Sequence, residues 1–152
     1  MRVLHTITSL QTGGAETVLC RILTSLGVEK AKFHRVISLG PGGSLSKQIA
    51  EAGATVDVLG GTNRISAPSL LIKVVKIADQ FQPDVCIGWM YDGNLAAWVA
   101  ARKTRTPLVW NIRHSISDIT NETIGSRLAI KLNSLLSNFP RNISYNSTIA
   151  AS

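Results

Sequence analysis

Cysteine, aromatic residues, acidic residues and long apolar runs are all scarce in this sequence of 152 residues. Only Cys20 and Cys86 are present, far apart and outside any Cys-x-x-Cys or metal-ligand spacing. That usage fits a reduced cytoplasmic compartment and argues against a disulfide or a metal centre. Aromatic side chains make up 5% and are not interleaved with basic ones, so the stacking platforms of nucleic-acid readers are missing and no nucleic acid is expected as a partner. No apolar run approaches the roughly 20 residues that cross a bilayer. The opening "MRVLHTITSL" has one arginine and a short apolar stretch, but His5 and three Thr/Ser residues dilute it and no small-residue cleavage site follows. It reads as a strand. Nine acidic residues face sixteen Lys and Arg, a net charge of +7 that is unevenly placed. Residues 1–92 carry nine basic against seven acidic residues, and residues 93–152 carry seven against two.

What is abundant is apolar: 45% of residues are hydrophobic and 16% charged, the balance of a sheet covered by helices rather than of a disordered segment. The length suits one domain able to bury a real core. Short apolar runs rich in Val and Ile alternate with amphipathic stretches, which predicts an α/β fold: a Rossmann-like, doubly wound, mostly parallel sheet of about six strands. The strands are expected at Arg2–Thr8, His34–Leu39, Thr55–Leu59, Asp84–Trp89, Pro107–Ile112 and Asn142–Tyr145. Five helices are expected between them. The first has Val18, Leu19, Ile22, Leu23 and Leu26 on one stripe. The second has Leu45, Ile49 and Ala52 and stops at Gly53. The third starts near Ser66 and Pro68 and presents Leu71, Val74, Val75 and Ala78. Leu95, Trp98 and Val99 mark the fourth. The fifth places Leu128, Leu132, Leu135, Leu136 and Phe139 on one face, with Arg127 and Lys131 beside it. That stripe fits packing on the sheet, and it also fits an anionic membrane surface. The closing "ISYNSTIAAS" passes from the sixth strand through Asn146 and Ser147 into what reads as a first helical turn, so the chain is expected to be a fragment ending near a domain boundary.

In a doubly wound sheet the ligand lies beyond the carboxyl ends of the strands. Gly13-Gly14-Ala15-Glu16 follows the first strand there, Gly40-Pro41-Gly42-Gly43 the second, Trp89-Met90-Tyr91-Asp92 the fourth, Arg113-His114-Ser115 the fifth and Asn146-Ser147 the sixth. Gly13 and Gly14 at a helix N-terminus can turn backbone N–H groups toward a phosphate, with Arg113 supplying positive charge; a tight turn explains them equally. Glu16 in the first helical turn complements the helix dipole without any ligand. The spacing is neither G-x-G-x-x-G nor a P-loop. His114 at a strand end can exchange a proton or a hydrogen bond, or simply face solvent, whereas His5 and His34 fall inside strands. Asp92 can orient a sugar hydroxyl or cap the next helix. Arg102, Lys103 and Arg105 complement the end of the fourth helix. Residues 115–126 form a polar connection of the kind that serves as a lid or merely as a loop.

Three stretches carry a resemblance: "VLHTITSLQTGGAETVLCRI", "IGWMYDGNLAAWVAARKTRTPLVWNIRHS" and "ISYNS". With them the chain resembles, over essentially its whole length, the N-terminal domain of a retaining, nucleotide-sugar-dependent glycosyltransferase of the GT-B fold, in its family 4-like, bacterial surface-polysaccharide subgroup. The resemblance implies a two-domain enzyme in which residues 1–152 are the acceptor-side half, and a C-terminal half holds the nucleotide and carries two glutamates eight positions apart. It implies that Gly13 and Gly14 approach the donor pyrophosphate and that Glu16 is the acidic position of that loop. It places His114 near the transferred sugar as the catalytic residue, with Arg113 and Ser115 completing its signature, and it marks Ser147 near the end of the domain. Asp92 stands where close relatives are expected to have His. No Asp-x-Asp metal pair is present, and no cofactor is expected on this domain, the nucleotide-sugar being a substrate. The expected partners are that donor, a glycan or lipid-linked acceptor, the protein's own C-terminal domain, and peripherally the inner face of the cytoplasmic membrane. The fragment alone is expected to be inactive. The alternatives are a stand-alone flavodoxin-like binding or regulatory module and a nucleotide-sugar epimerase.

Overall fold

The computed structural model describes the backbone of residues 1–60, 66–112 and 124–145, and the side chains of all of these except 124–129 and 145. Six strands occur where the apolar runs predict them: β1 (Val3–Ile7), β2 (His34–Ser38), β3 (Thr55–Val58), β4 (Val85–Trp89), β5 (Leu108–Ile112) and β6 (Asn142–Tyr145). They form one sheet in the order β3-β2-β1-β4-β5-β6, with every described pairing parallel. That is the dinucleotide-fold order, not the 2-1-3-4-5 order of flavodoxin. The sequence direction reverses between β1 and β4, whose register sets Ile7 opposite Trp89.

The helices are α1 (Gly14–Ser25), α2 (Val28–Ala31), α3 (Gly43–Glu51), α4 (Ala67–Phe81), α5 (Met90–Thr104) and α6 (Ile124–Leu136). The single turn α2 was not foreseen; it follows Gly27, whose φ of +72° redirects the chain after α1. Two cores result, one on each face of the sheet. Ile7, Leu19, Leu23, Val36 and Ile49 pack under α1 and α3, while Leu4, Ile37, Val74, Ala97 and Trp110 pack under α4 and α5. A fully buried Leu or Ile such as Leu4 or Ile37 contributes roughly 1.5–3 kcal/mol relative to an exposed one.

Three helix faces differ from the periodicity reading. In α1 the buried stripe is Ala15, Leu19, Cys20 and Leu23, with Ile22 turned outward. In α5 the buried face is Gly93, Asn94, Ala96, Ala97, Ala100 and Ala101; the expected Leu95, Trp98 and Val99 are only partly buried, with Trp98 packed against the core. The reason is distance: α5 lies so close to the sheet that a Cβ added to Gly93 would sit 2.5 Å from the Thr6 carbonyl oxygen, and one added to Gly88 2.5 Å from the Asn94 Cα. Apart from Asn94, only glycine and alanine fit between. In α6, Leu136 packs on the core, but Leu135 is 76% exposed and Asn133 is buried in its place.

Candidate functional site

Two helices leave the switch point between β1 and β4 at the carboxyl edge of the sheet, α1 on one face and α5 on the other. The β4–α5 junction has no loop. Trp89 ends the strand and Met90 begins the helix with φ +62°, a left-handed conformation that costs a non-glycine residue roughly 1–2 kcal/mol. It is held by the close seating of Gly93 on β1 and by the Thr6 hydroxyl, which donates to the Gly93 carbonyl at 2.6 Å. The sharp turn brings Tyr91 and Asp92 directly to the edge in the first turn of α5.

Beside them opens a pocket of about 380 Å³, walled by Thr8, Gly40, Leu70, Leu71, Asp92 and Leu95. Asp92 stands at its exposed rim, yet the protein atoms crowding its inner side raise its carboxyl above the usual range. A carboxyl raised by desolvation beside an apolar wall suits hydrogen bonding to a hydroxyl-bearing ligand or proton exchange with it.

On the other face, Gly13 caps α1 without a side-chain hydrogen bond, and its carbonyl accepts from the Thr17 N–H at 3.0 Å. The Glu16 carboxylate folds back onto Gly13, occupying the space a Cβ would take, while Gly14 is exposed with open space around it. An anion approaching α1 would therefore meet a free surface at Gly14 and a competing carboxylate at Gly13. None of Gly13, Gly14 and Glu16 lines the Asp92 pocket, so the strand-end residues share an edge but are split between the faces of the sheet. The glycines at 40–43 have a packing explanation. Gly40 donates to the Thr8 carbonyl at 2.7 Å, the Leu10 N–H donates to the Pro41 carbonyl at 2.9 Å, and a Cβ on Gly43 would lie 2.8 Å from the Leu10 carbonyl oxygen. They let the loop after β1 lie on the loop after β2.

His5 and His34 lie in strands as read, and the structure joins them to Trp89. The Trp89 indole N–H donates to His5 Nδ1 at 3.2 Å, and His5 Nε2 lies 3.0 Å from His34 Nδ1. An indole nitrogen only donates, so His5 Nδ1 carries no proton and Nε2–H donates to His34. Burial, with His34 adding to it, lowers the His5 pKa to about 3.

Arg113, His114, Ser115 and Ser147 lie outside the described residues, as does most of the 115–126 connection. Among the described residues no cluster of three or more His, Cys, Asp or Glu could hold a metal ion, and no helix is long and apolar enough to cross a membrane. The sequence reading placed Met90 at the strand end but missed its left-handed turn, whose positive φ has no residue signature, and it read Leu71 as an ordinary helix face rather than, with Leu70, a pocket wall.

No family model matches the sequence. It is similar to the UDP-N-acetylglucosamine--N-acetylmuramyl-(pentapeptide) pyrophosphoryl-undecaprenol N-acetylglucosamine transferase of Coxiella burnetii, at 32% identity over 90 residues, which is 54% of this chain and 24% of that protein. The fold matches crystal structures of Anabaena Alr3699/HepE. The complex with UDP gives a TM-score of 0.72 at 22% identity, over 99% of this chain and 39% of that one. The complex with UDP and glucose gives 0.69 at 20%, again over 99% of this chain and 39% of that one. The chain thus spans about a quarter of the curated relative and two-fifths of the solved one.

Proposed function

We propose that the chain is the acceptor-side half of a nucleotide-sugar-dependent glycosyltransferase of the GT-B fold, working with a C-terminal half that holds the donor. The observation that carries this is the carboxyl-edge arrangement at the β1/β4 switch point: an open Gly14 at the start of α1 and, across the sheet, a pocket whose rim is Asp92. The relatives add support, since one is named as an N-acetylglucosamine transferase using a UDP-sugar and the other was crystallised with UDP and with UDP-glucose.

In this reading the acceptor enters the Asp92 pocket, where the raised carboxyl hydrogen-bonds an acceptor hydroxyl. Negative charge builds on the departing phosphate as the sugar takes on oxocarbenium character, and N–H groups at Gly13 and Gly14 together with Arg113 stabilise it. For that, the Glu16 carboxylate swings off Gly13. His114 and Ser115 serve the transferred hexosyl group, Ser147 belongs to the same edge, and transfer proceeds with retention. The product belongs to a surface polysaccharide such as lipopolysaccharide, capsule or exopolysaccharide, built in the cytoplasm or against the inner face of the membrane. No metal or cofactor is assigned to this half.

The test has two parts. Codons following Ser152 should encode a domain of similar length with two glutamates eight positions apart, and the joined protein should turn over UDP-glucose or UDP-N-acetylglucosamine. The 152-residue chain alone should not; turnover by it would show that the catalytic unit has been misassigned.

A further inference from the structure

A second cavity, of about 540 Å³, lies at the opposite, amino edge of the sheet, between the end of α5, the start of β5 and the chain entering β6. Arg102, Arg105 and Arg141 line it with Trp98 and Phe139. Four basic side chains elsewhere have acidic partners: Arg35 pairs with Asp57, Lys32 with Glu29, Lys47 with Glu51 and Lys103 with Asp79. Among the described residues no carboxylate pairs with any of the three pocket arginines. All three are exposed at the rim, where like charges lining one cavity repel one another weakly and a bound anion would relieve that repulsion.

The Arg102 guanidinium carbon lies 6.0 Å from the centre of the Trp98 ring and 5.9 Å from that of Phe139. The rings meet edge to face at 6.0 Å. Aromatic faces hold the cation in place without consuming its N–H donors, which stay available to an oxyanion. The Trp98 indole N–H is also buried without a partner among the described residues. From this rim, exposed apolar side chains run from Phe139, at 51%, back along α6 through Leu135, at 76%, and Leu132, at 37%. A single exposed leucine means little, but a stripe ending in unpaired arginines calls for a ligand that is anionic at one end and apolar along its body.

We infer that the pocket formed by Arg102, Arg105 and Arg141 binds a phosphate ester carried on an apolar body. The site is separate from the carboxyl-edge cleft and stands or falls independently of the transferase reading. The carrier is either the headgroup of an anionic phospholipid or a soluble aryl phosphate, and the experiment separates them.

The chain is titrated with phosphatidylglycerol vesicles, phosphatidylcholine vesicles and phenyl phosphate, following tryptophan emission and co-sedimentation. A saturable change is expected with phosphatidylglycerol, with phenyl phosphate or with both. It should be absent with phosphatidylcholine, and its emission component should vanish in Trp98→Phe. Response to vesicles alone assigns the lipid carrier, and response to phenyl phosphate alone the soluble one. The double variant Arg102→Gln/Arg141→Gln should bind roughly 30-fold more weakly. Arg105→Asn keeps a residue that tolerates the left-handed backbone there, and it should weaken binding by roughly fivefold even if the double variant does not fold. Failure of both anionic probes, equal binding to the two vesicle types, or unchanged affinity in Arg105→Asn would overturn the assignment.

Discussion

Acidification should weaken this fold well before its carboxylates titrate, and the cause can be assigned to His5. In the folded chain His5 is buried, its Nδ1 accepts from Trp89 and its Nε2 faces His34, so a second ring proton would point at an N–H group. Its pKa falls from 6.5 to about 3, by burial first and His34 second. Between those values the unfolded chain binds the proton and the folded chain does not. Stability is therefore complete above 6.5 and is lost as pH falls. At ~1.4 kcal/mol per tenfold change in proton activity, the whole interval is worth roughly 5 kcal/mol, of which roughly 2 kcal/mol is lost by pH 5. That is a large share of the roughly 5–15 kcal/mol of a typical domain. His34, also lowered, mainly by burial and then by the N-terminal ammonium, adds with the same sign. Urea unfolding followed by far-UV circular dichroism at pH 8, 7, 6 and 5 measures the slope, and His5→Phe isolates it: the variant starts less stable but should show a flatter profile. An unchanged stability from pH 7 to 5 in the parent, or an equal slope in His5→Phe, would refute the reasoning.

Other outcomes follow from close approaches and backbone angles. Gly93→Ala drives a methyl group to 2.5 Å from the Thr6 carbonyl oxygen and 3.1 Å from the Ile7 Cα, and should destabilise by roughly 1–3 kcal/mol in urea melts. A loss under about 0.5 kcal/mol would mean that α5 can back away freely. Gln82, exposed at the end of α4 with φ +50°, gains when replaced by glycine, by roughly 0.5–1 kcal/mol in a thermal melt. If the complete protein is the proposed transferase, Gly14→Val and His114→Ala in it should lower turnover of a sugar nucleotide by an order of magnitude or more while the melting temperature holds; unchanged rates would leave both residues structural. Asp92→Asn should remove an acid-side limb from the pH profile of kcat/KM that lies above the ordinary carboxylate range.

The fold was legible because burial on both faces makes parallel strands continuous apolar runs, and six of these fall in register with little ambiguity. The helix faces were less legible. Periodicity assigns large apolar residues to the core, but α5 is pressed so near the sheet that alanine and glycine occupy its inner face, and Leu135 of α6 is left outside. For the candidate site, the strand-end rule placed Gly13, Gly14, Glu16 and Asp92 at the carboxyl edge without showing that the sheet divides them.

The sequence by itself determined the class of fold, the six strands, the glycine junction after β1 and the excess of positive charge after residue 92, because each is a property of composition or of local spacing. Only the tertiary structure decided the strand order, the left-handed turn at Met90, the Trp89–His5–His34 chain and the convergence of Arg102, Arg105 and Arg141 on one cavity. Those depend on which distant segments meet, and hydrogen bonds, steric limits and charge repulsion act through space with no regard for separation along the chain.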